Sequence, residues 1–455
     1  MMQQPGLAPV DLGKATVASL LADIGQKKWQ ASTLLEACLT NADLHDDPRN
    51  QVYTTRFDPT AKAEAAAIDA LQKGGVPLGE LAGLPIALKA LFDVAGEVTH
   101  SGSKWWKQIA QSDALIVSRL RSAGAVVTGH TNMTEFAYSG LGLNPHYGSP
   151  ANPLAPGRIC GGSSSGAASA VAQGMAVAAI GTDTGGSVRI PAAFCGLVGF
   201  KPSQQRIPRQ GVFPLSNTLD SIGPIARSVE CCARIDAVLA GQRWQPSAPV
   251  GLRGRRFVVP TNFMLDDMSG AVSAAFSRSL QQLRDCGAQI VEAPAPVLDA
   301  LPELLAGGGF TAAESYHIHR DWLQLHGDEY DPRVRMRMER GAGISAADYL
   351  ELVRCRAARI KQADEWLASY DGLLAPTVPI EPPLLTELET DEDYARLNLL
   401  ILRNPTVANL LDLCAITLPN HRSGDVPSGL MLVGRNGADT ALLNTAQAME
   451  KGLEP

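Results

Sequence analysis

GTDTGGS (Gly181–Ser187) and CGGSSSG (Cys160–Gly166) are two short segments built almost entirely from glycine, serine and threonine. Together they contain one aspartate and one cysteine but no histidine. Serine is a weak nucleophile until a neighbouring base removes its proton. If one of these serines is catalytic, its base must therefore come from another part of the chain.

The residues around these segments predict the elements that present them. Ser164–Gln173 is a run of small residues typical of a closely packed helix, and Met175–Ile180 predicts a strand that leads directly into GTDTGGS. Upstream, GLPIALK (Gly83–Lys89) predicts a buried strand that ends at Lys89. A lysine by itself more often extends to solvent or pairs with an acid. A buried lysine, however, has a lowered pKa, and its neutral amine can accept a proton, which makes Lys89 a candidate for the missing base.

The rest of the chain alternates predicted helices with short strands, which favours an α/β architecture with a wound sheet. A chain of 455 residues is long enough for two domains or one large α/β unit, and no linker separates two halves. The clearest predicted helices are 113–123, 229–239, 271–286, 345–370 and a helical stretch around 302–325. The clearest predicted strands are 125–129, 256–259, 289–292, 371–379, 411–419 and 429–434.

Composition and charge argue against several classes of protein. The net charge of −7 does not suit a surface that binds nucleic acid. No uncharged apolar run is long enough to predict a membrane span, and residues 1–14 (MMQQPGLAPVDLGK) lack the pattern of a signal peptide. The eight cysteines are scattered without a C-x-x-C pair. We therefore expect free, mostly buried thiols in a cytoplasmic protein.

Other kinds of site fit the sequence less well. Gly162–Gly166 matches the G-x-S-x-G elbow of α/β-hydrolases with Ser164 as the nucleophile, but the residues before it predict a loop where that motif needs a strand. Glycine-rich turns before helices can bind phosphate, but neither G-x-x-x-x-G-K-[ST] nor G-x-G-x-x-G occurs. His317 and His319 could supply half of a metal site, but residues two apart on a helix point to different faces.

In their chain order, the motifs resemble those of the amidase signature family. The resemblance rests on GLPIALK, on CGGSSSG and on GTDTGGSVRIPAAFCGLVGFKPS (Gly181–Ser203), and it extends to TNMTEF (131–136), LDSIGP (219–224) and SGLMLVGR (428–435). It implies a single amidase domain over residues 1–455, with a catalytic core at about 60–230 and a substrate-pocket part at about 231–455. The implied fold is α/β, with a central mixed, twisted β-sheet covered by helices on both faces.

The resemblance also implies a Ser–cisSer–Lys triad. Ser187 would be the nucleophile, Ser163 would be the bridge and follow a cis peptide bond, and Lys89 would be the terminal base. The oxyanion that forms during attack would be held by the backbone N–H groups of Thr184, Gly185, Gly186 and Ser187. The missing base would then lie about a hundred residues before the nucleophile.

Further residues near the triad have implied supporting roles. Asp183 and Arg189 would form a hydrogen-bonded pair that holds the loop, and Ser164 would lie beside the bridge. Two positions depart from the family's pattern, because Ser165 stands where glycine is common and Ala90 stands where aspartate is common. Neither belongs to the triad, but both change the local hydrogen bonding.

The substrate pocket is expected to be apolar or aromatic, as suits an apolar or aryl substrate. The candidate lining residues are Trp105, Phe136, Tyr138 and Leu141, and a wider set also includes Trp106, Phe310, Tyr316 and Trp322. No arginine is placed by a motif to hold a substrate carboxylate. Neither a metal nor a cofactor is required by this chemistry.

The resemblance implies an amidohydrolase that cleaves the C–N bond of a small or aryl amide through a serine acyl-enzyme. The same chemistry extends to carbamates, as in a urethanase, and to esters. Two alternatives remain: the ammonia-releasing glutaminase subunit of a tRNA-dependent amidotransferase, and an esterase of the α/β-hydrolase type that uses Ser164. The expected protein is a monomer or homodimer that binds a small molecule and neither nucleic acid nor a membrane.

Overall fold

The computed structural model describes Leu12, residues 15–246 and residues 250–453. The segment 1–14, in which the sequence shows no signal peptide, lies outside the described residues except for Leu12. No helix in the described ranges combines the length and apolar character needed to cross a membrane.

The strands of the described residues mostly follow the short apolar runs of the sequence. They are β1 (Tyr53–Arg56), β2 (Pro85–Lys89), β3 (Val98–Thr99), β4 (Gln108–Ile109), β5 (Val126–Thr131), β6 (Ala178–Asp183), β7 (Val198–Lys201), β8 (Ser221–Ala226), β9 (Arg256–Pro260), β10 (Gln289–Ala293), β11 (Gly372–Pro376), β12 (Cys414–Pro419) and β13 (Gly429–Gly434).

The helices lie between these strands in the chain. They are α1 (Val17–Gly25), α2 (Ala31–His45), α3 (Asp58–Lys73), α4 (Leu115–Ser122), α5 (Ser165–Ala172), α6 (Arg189–Phe194), α7 (Val229–Leu239), α8 (Gly270–Asp285), α9 (Pro296–Asp299), α10 (Leu301–Leu305), α11 (Gly309–His326), α12 (Pro332–Glu339), α13 (Ala346–Leu367), α14 (Asp391–Leu410) and α15 (Asp439–Gly452). Short 3₁₀ turns occur at Glu135–Ala137, Ala306–Gly308, Gly327–Glu329, Arg340–Gly343 and Leu385–Leu388.

Eleven of the strands in the described residues form one mixed sheet in the order β1-β5-β2-β6-β8-β7-β12-β13-β11-β9-β10. Strands β5, β2 and β6 run parallel, those from β6 to β11 pair antiparallel, and β11, β9 and β10 are again parallel. Two helix pairs, α5 with α6 and α7 with α15, pack against its central strands. The predicted fold class, an α/β fold with a mixed sheet covered by helices, is confirmed.

The register of β2 on β6 brings distant residues together. The two strands are parallel, with Ile86 opposite Ala178 and Leu88 opposite Ile180. Because the carboxyl ends of parallel strands meet at one edge of a sheet, Lys89 at the end of β2 lies beside the end of β6, where GTDTGGS begins.

Small side chains allow α5 to lie close to the sheet. Residues 165–171 of this helix are all buried, and a Cβ atom on Gly166 would lie 2.5 Å from both the Asn132 nitrogen and the Val52 carbonyl oxygen. Such contacts are too short for any side chain to occupy. The run of serine, glycine and alanine after Ser164 therefore reflects the approach of α5 to the backbone of neighbouring segments.

Two expectations about helices in the C-terminal part need correction. The helical stretch around 302–325 is broken into α10 and α11, because the three glycines at 307–309 all adopt positive φ angles of 64°, 96° and 56°. Helix α14 is not predicted from the sequence, since Pro405 lies inside it and proline normally ends a helix. Both features matter for the site, because residues of α14 and of the turn at 307–309 line a cavity of the protein, called the main cavity below.

The substitution Gly166→Ala tests this close packing. The added methyl group meets two backbone atoms that cannot move aside, so we expect a loss of about 1–3 kcal/mol in the free energy of unfolding, measured by urea denaturation. Gly25→Ala is the matched control, because Gly25 is also helical and a Cβ atom placed on it would meet no other atom within 4 Å. The control should be neutral or stabilising by up to about 1 kcal/mol, and equal effects of the two substitutions would contradict the packing argument.

Candidate active site

Lys89 is completely buried at the end of β2, and its amine contacts two hydroxyl groups. The Lys89 Nζ atom donates to Ser163 Oγ at 2.7 Å and to Thr182 Oγ1 at 2.9 Å. Burial lowers the pKa of Lys89 to about 7, although the negative charges of Asp220 and Asp183 oppose this change. A large fraction of the amine is therefore neutral near pH 7 and able to accept a proton.

Ser163 is fully buried between Lys89 and the start of α5. The peptide bond Gly162–Ser163 is cis, as the family resemblance implies for this position. The carbonyl oxygen of Ser163 accepts a hydrogen bond from the Thr134 N–H at 3.1 Å. The bridge position of the predicted triad thus lies within hydrogen-bonding distance of the predicted base.

Ser187 lies in the loop that follows β6 and is almost completely buried. It lines the main cavity together with Thr184 and Gly185. Among the described residues, no hydrogen bond engages the Ser187 side chain, so its hydroxyl is available to a ligand in the cavity. Lys89 and Ser163 do not line the cavity and lie deeper in the protein.

The loop offers fewer free N–H groups than the sequence implies. The Gly186 N–H donates to Asp183 Oδ1 at 2.8 Å, so this group of the expected oxyanion hole is already engaged. The N–H groups of Gly185 and Ser187 have no hydrogen-bond partner within the described ranges. We therefore revise the expected set by removing Gly186, because the carboxylate that shapes the loop takes its N–H.

Asp183 and Arg189 form the predicted pair, and Asn409 completes it. Arg189 donates to both carboxylate oxygens of Asp183, from Nη2 at 2.9 Å and from Nε at 3.1 Å. The Asn409 side chain accepts from Arg189 Nη2 at 2.8 Å and donates to the Asp183 carbonyl at 2.9 Å. Burial alone would raise the pKa of Asp183, but Arg189 holds it at about 2, so both partners remain charged in the interior.

Thr184 is tied to a second buried carboxylate, which the sequence did not single out. The Thr184 hydroxyl donates to Asp220 Oδ1 at 2.6 Å, and Asp220 Oδ2 accepts the N–H groups of Leu215 and Ser216 at 2.9 and 3.1 Å. Burial raises the pKa of Asp220. Asp220 belongs to the LDSIGP motif and Thr182 belongs to GTDTGGS, so membership of these motifs was the signal that could have identified both.

The two departures from the family's pattern have different structural consequences. Ala90 is fully buried, and its N–H donates to the Thr131 carbonyl at 3.2 Å, so the backbone needs no side-chain partner there. The Ser165 hydroxyl is buried and has no hydrogen-bond partner among the described residues. The extra serine therefore adds a polar atom without adding a contact that holds the site.

Ser164 does not fit the elbow of an α/β-hydrolase. Its side chain is fully buried and donates weakly to the Thr182 carbonyl at 3.5 Å. Strand β5 ends at Thr131, and no strand lies between it and Ser164 in the described chain. The strand–turn–helix geometry that exposes an elbow serine is therefore missing, and Ser164 supports the start of α5 instead.

A cavity of about 670 Å³ lies beside the loop after β6, a size typical of small-molecule sites. Tyr138 lines it, as expected from the sequence. Most of the wall comes from segments that no sequence motif marks, namely residues 304–311, the end of α12 and the middle of α14.

Of the other residues expected in the pocket, Phe310 lines the cavity, Phe136 and Leu141 are buried in the core, and the remaining four pack, partly buried, against an aromatic cluster around Phe136. Phe136 packs edge-on against His319 with 4.4 Å between ring centroids, and Trp105 stacks on His326 at 4.6 Å. Leu141 belongs to an apolar cluster with residues of α6 and α14. We revise Phe136 and Leu141 to core residues and Trp105 to a residue packed against the aromatic cluster, because aromatic and aliphatic side chains fill contacts between segments as readily as they line a pocket.

The two histidines considered for a metal site are not brought together with other ligands. His319 Nδ1 lies 2.9 Å from the Tyr330 hydroxyl, and burial lowers the pKa of His319 to about 3. Within the described part of the chain, no group of three or more histidine, cysteine, aspartate or glutamate residues could hold a metal ion. His319 is therefore a packed core residue.

Comparison with known proteins agrees with this geometry. A family model described as Amidase matches residues 33–443. The chain belongs to the amidase signature family. A solved amidase structure aligns over 97% of this chain and 100% of its own, with a TM-score of 0.88 and 32% identity. The protein is thus a hydrolase that acts on the carbon–nitrogen bonds of amides.

Three relatives illustrate the range of proteins to which the chain is similar. The 2-amino-5-chloromuconic acid deaminase of Comamonas testosteroni is 36% identical, over 96% of this chain and 95% of its own. The AtzE subunit of the 1-carboxybiuret hydrolase of Pseudomonas sp. strain ADP is 32% identical, over 95% and 97%. A glutamyl-tRNA(Gln) amidotransferase subunit of Koribacter versatilis is 30% identical, over 98% and 99%.

The substitution Asp183→Ala tests the buried pair. It leaves the Arg189 guanidinium charged and unpaired in the interior, so we expect a loss of about 3–5 kcal/mol in the free energy of unfolding at neutral pH. The pKa of Asp183 is lowered in the folded protein from 3.8 to about 2, so its stabilising contribution is complete above pH 3.8 and is lost as the pH falls through 2.

The control for this prediction is Asp364→Ala. It removes the carboxylate that pairs with Arg435 at the surface, where Arg435 Nε lies 2.6 Å from Asp364 Oδ1. Exposed pairs contribute about 0–1 kcal/mol, so urea denaturation should separate the two variants clearly. A loss for Asp183→Ala no larger than that for Asp364→Ala would rule out the proposed role of the pair.

Proposed function

We propose that this protein is an amidohydrolase that uses Ser187 as nucleophile, Ser163 as proton bridge and Lys89 as terminal base. The observation that carries the proposal is the buried Lys89 amine, 2.7 Å from Ser163 Oγ, with a pKa lowered to about 7. A base with a pKa near the working pH is the most effective general catalyst. An amine in this position supplies the base that the two serine-rich segments lack.

The reaction begins when Ser187 attacks the carbonyl carbon of the amide. The Ser187 proton passes to Ser163 Oγ while Ser163 gives its own proton to the neutral amine of Lys89. The N–H groups of Gly185 and Ser187, with Thr184 beside them, face the negative charge that develops on the carbonyl oxygen. One such donor contributes about 3–4 kcal/mol to transition-state stabilisation.

The second half of the reaction returns the proton and releases the acid. The proton held by Lys89 moves back through Ser163 to the leaving nitrogen, so the C–N bond breaks and an amine or ammonia departs. Water then attacks the acyl-enzyme ester with the same two groups acting as base, and Ser187 is restored. The overall reaction consumes the amide and one water molecule and releases an acid and an amine or ammonia. The three side chains return to their starting protonation states.

The proposed substrate is a small or aryl amide, and carbamates and esters are proposed as further substrates of the same acyl transfer. A cavity of about 670 Å³ with many leucine side chains supports a substrate with an apolar body. Relatives whose names describe a deaminase and a carboxybiuret hydrolase support compact C–N substrates. We further propose that the chain folds as one domain, because both parts of the chain contribute strands to a single sheet, and that it is a monomer or homodimer.

A role as the glutaminase subunit of a tRNA-dependent amidotransferase is the second candidate, favoured by the 30% identity to a protein of that kind. Glutamine carries an α-carboxylate, which arginine side chains bind, but also an α-ammonium group, which needs a carboxylate partner when it leaves water. Among the described residues that line the cavity, none is an aspartate or a glutamate. The lack of a carboxylate among these lining residues favours the amidohydrolase. Ammonia release from glutamine by the purified chain would instead favour the amidotransferase role.

Labelling with a serine-reactive fluorophosphonate tests the triad. We expect a single adduct on Ser187, located by peptide mapping, and no adduct in Ser187→Ala. Ser163→Ala and Lys89→Met should slow labelling by about 10²-fold or more, because general base catalysis contributes roughly 10²–10⁴-fold. Labelling of Ser164 at a rate independent of Lys89 would instead support the α/β-hydrolase alternative.

Lys201→Met is the matched control for Lys89→Met. Lys201 is also buried, and burial lowers its pKa to about 8, but its amine donates to the Pro202 carbonyl and to no serine. Folded Lys201→Met should therefore be labelled at nearly the wild-type rate. An equal decrease of the labelling rate in the two variants would mean that removal of any buried lysine disturbs the site.

The pH dependence of labelling follows from Lys89. The amine is neutral above its pKa of about 7, so the labelling rate should rise with pH through 7 and then level off. Asp220→Asn removes a negative charge that raises the pKa of Lys89, so the inflection should move to lower pH. Asp364→Asn, at the surface, should leave the inflection in place, and an unshifted inflection in Asp220→Asn would contradict this account of the base.

A further inference from the structure

The wall of the main cavity carries positive charge and no negative charge among the described residues. Its charged lining residues are Arg337, Arg340 and Arg403. The remaining lining residues are neutral, and most of them are apolar. The same cavity contains Ser187, so a ligand that reaches the proposed nucleophile shares the space with these guanidinium groups.

One of the three arginines is neutralised by the protein itself. Arg403 donates to Asp267 Oδ2 at 3.2 Å and to the Asp266 carbonyl. Its charge is therefore paired with a carboxylate of this chain. It offers little net attraction to an anion in the cavity.

Arg337 and Arg340 have no carboxylate partner in the described part of the chain. Arg337 is half-buried, donates to the Tyr138 carbonyl at 2.6 Å and lies over the Tyr394 ring with 5.3 Å to its centroid. These contacts orient the guanidinium without cancelling its charge. Arg340 is exposed and makes no ion pair among the described residues, which leaves its guanidinium N–H donors available.

The two arginines lie three residues apart in the chain and line the same cavity. Arg337 lies in the last turn of α12, and Arg340 begins the 3₁₀ turn that follows it. Residues three apart in such a segment share one face. The charges of both act on the Tyr138 hydroxyl, since they lower its pKa against the effect of burial, which raises it. Tyr138 and both arginines therefore line one cavity, and the two positive charges act on the phenol.

We propose that Arg337 and Arg340 form a carboxylate-binding subsite of this cavity, and that the substrate is an amide that carries a carboxylate group away from the scissile bond. The inference rests on the proposed function of Ser187. Arginine forks bind carboxylates through paired, charge-assisted hydrogen bonds, whereas a neutral amide would leave the charge of the half-buried Arg337 without a partner. Leu215, Leu219, Phe310 and Leu402 line the cavity as well and contact the apolar part that joins the amide to the carboxylate.

The test uses pairs of alkyl fluorophosphonates of matched chain length, one ending in a carboxylate and the other in its methyl ester. Both react with the same serine, so the ratio of their labelling rates isolates recognition of the terminal charge. We expect the carboxylate reagent of suitable length to label wild-type Ser187 at least about tenfold faster than its ester, because hydrogen bonds to charged groups are stronger than those to neutral groups.

Variants locate the source of this preference. Arg337→Met with Arg340→Met should abolish this preference, because neither guanidinium group remains to pair with the terminal carboxylate. Arg340→Met alone changes an exposed position and should reduce the preference without a risk to folding. Arg335→Met is the matched control, because Arg335 lies on α12 but is paired with Asp328 and Glu339 outside the cavity; it should keep the preference.

The outcomes separate this inference from the function on which it rests. Equal labelling by the two reagents at every chain length, or a preference that survives in both the double variant and Arg340→Met, would overturn the carboxylate subsite and leave the amidohydrolase intact. Failure of both reagents to label Ser187 in folded wild-type protein would overturn the proposed nucleophile itself.

Discussion

The burial of one amine is the physical constraint around which this site is organised. An ammonium group taken out of water loses hydration free energy, so burial favours the neutral form of Lys89 and lowers its pKa to about 7. The amine keeps its hydrogen bonds because Ser163 and Thr182 place hydroxyl groups around it. Small side chains along α5 let that helix close over the end of β2, and the charges of Asp220 and Asp183 limit the fall in pKa.

The loop after β6 depends on a second buried charge, of opposite sign. Asp183 receives the guanidinium of Arg189 and the N–H groups of Gly186 and Val188, so the backbone curls around the carboxylate. This arrangement uses the Gly186 N–H for structure and leaves those of Gly185 and Ser187 for a ligand. Asn409 joins the loop to α14, the helix that also forms part of the cavity wall. The shape of the proposed oxyanion site and that of the substrate pocket are therefore coupled.

Prediction from the sequence agrees with the geometry for residues inside short ordered motifs. Lys89 and Ser163 were expected together and lie 2.7 Å apart, and the pair Asp183–Arg189 was expected and is present. It failed for the pocket, where Phe136 proved to be a core residue, because an aromatic side chain has the same character in a core as in a binding site. The broken helix at 307–309 and the continuous α14 were missed because backbone angles and packing overrode the local pattern.

The sequence by itself determined the fold class through its periodicity, and the family through the resemblance of its ordered motifs. That resemblance also named the residues proposed for the acyl transfer, since motifs are local and can be read along the chain. Only the tertiary structure decided which N–H groups of the loop are free, which carboxylates act on Lys89 and which side chains face the substrate. Arg337 lies 199 residues from the Tyr138 carbonyl that orients it. Contacts of this kind depend on how segments that are distant in the chain pack together, and a local sequence pattern does not predict that packing.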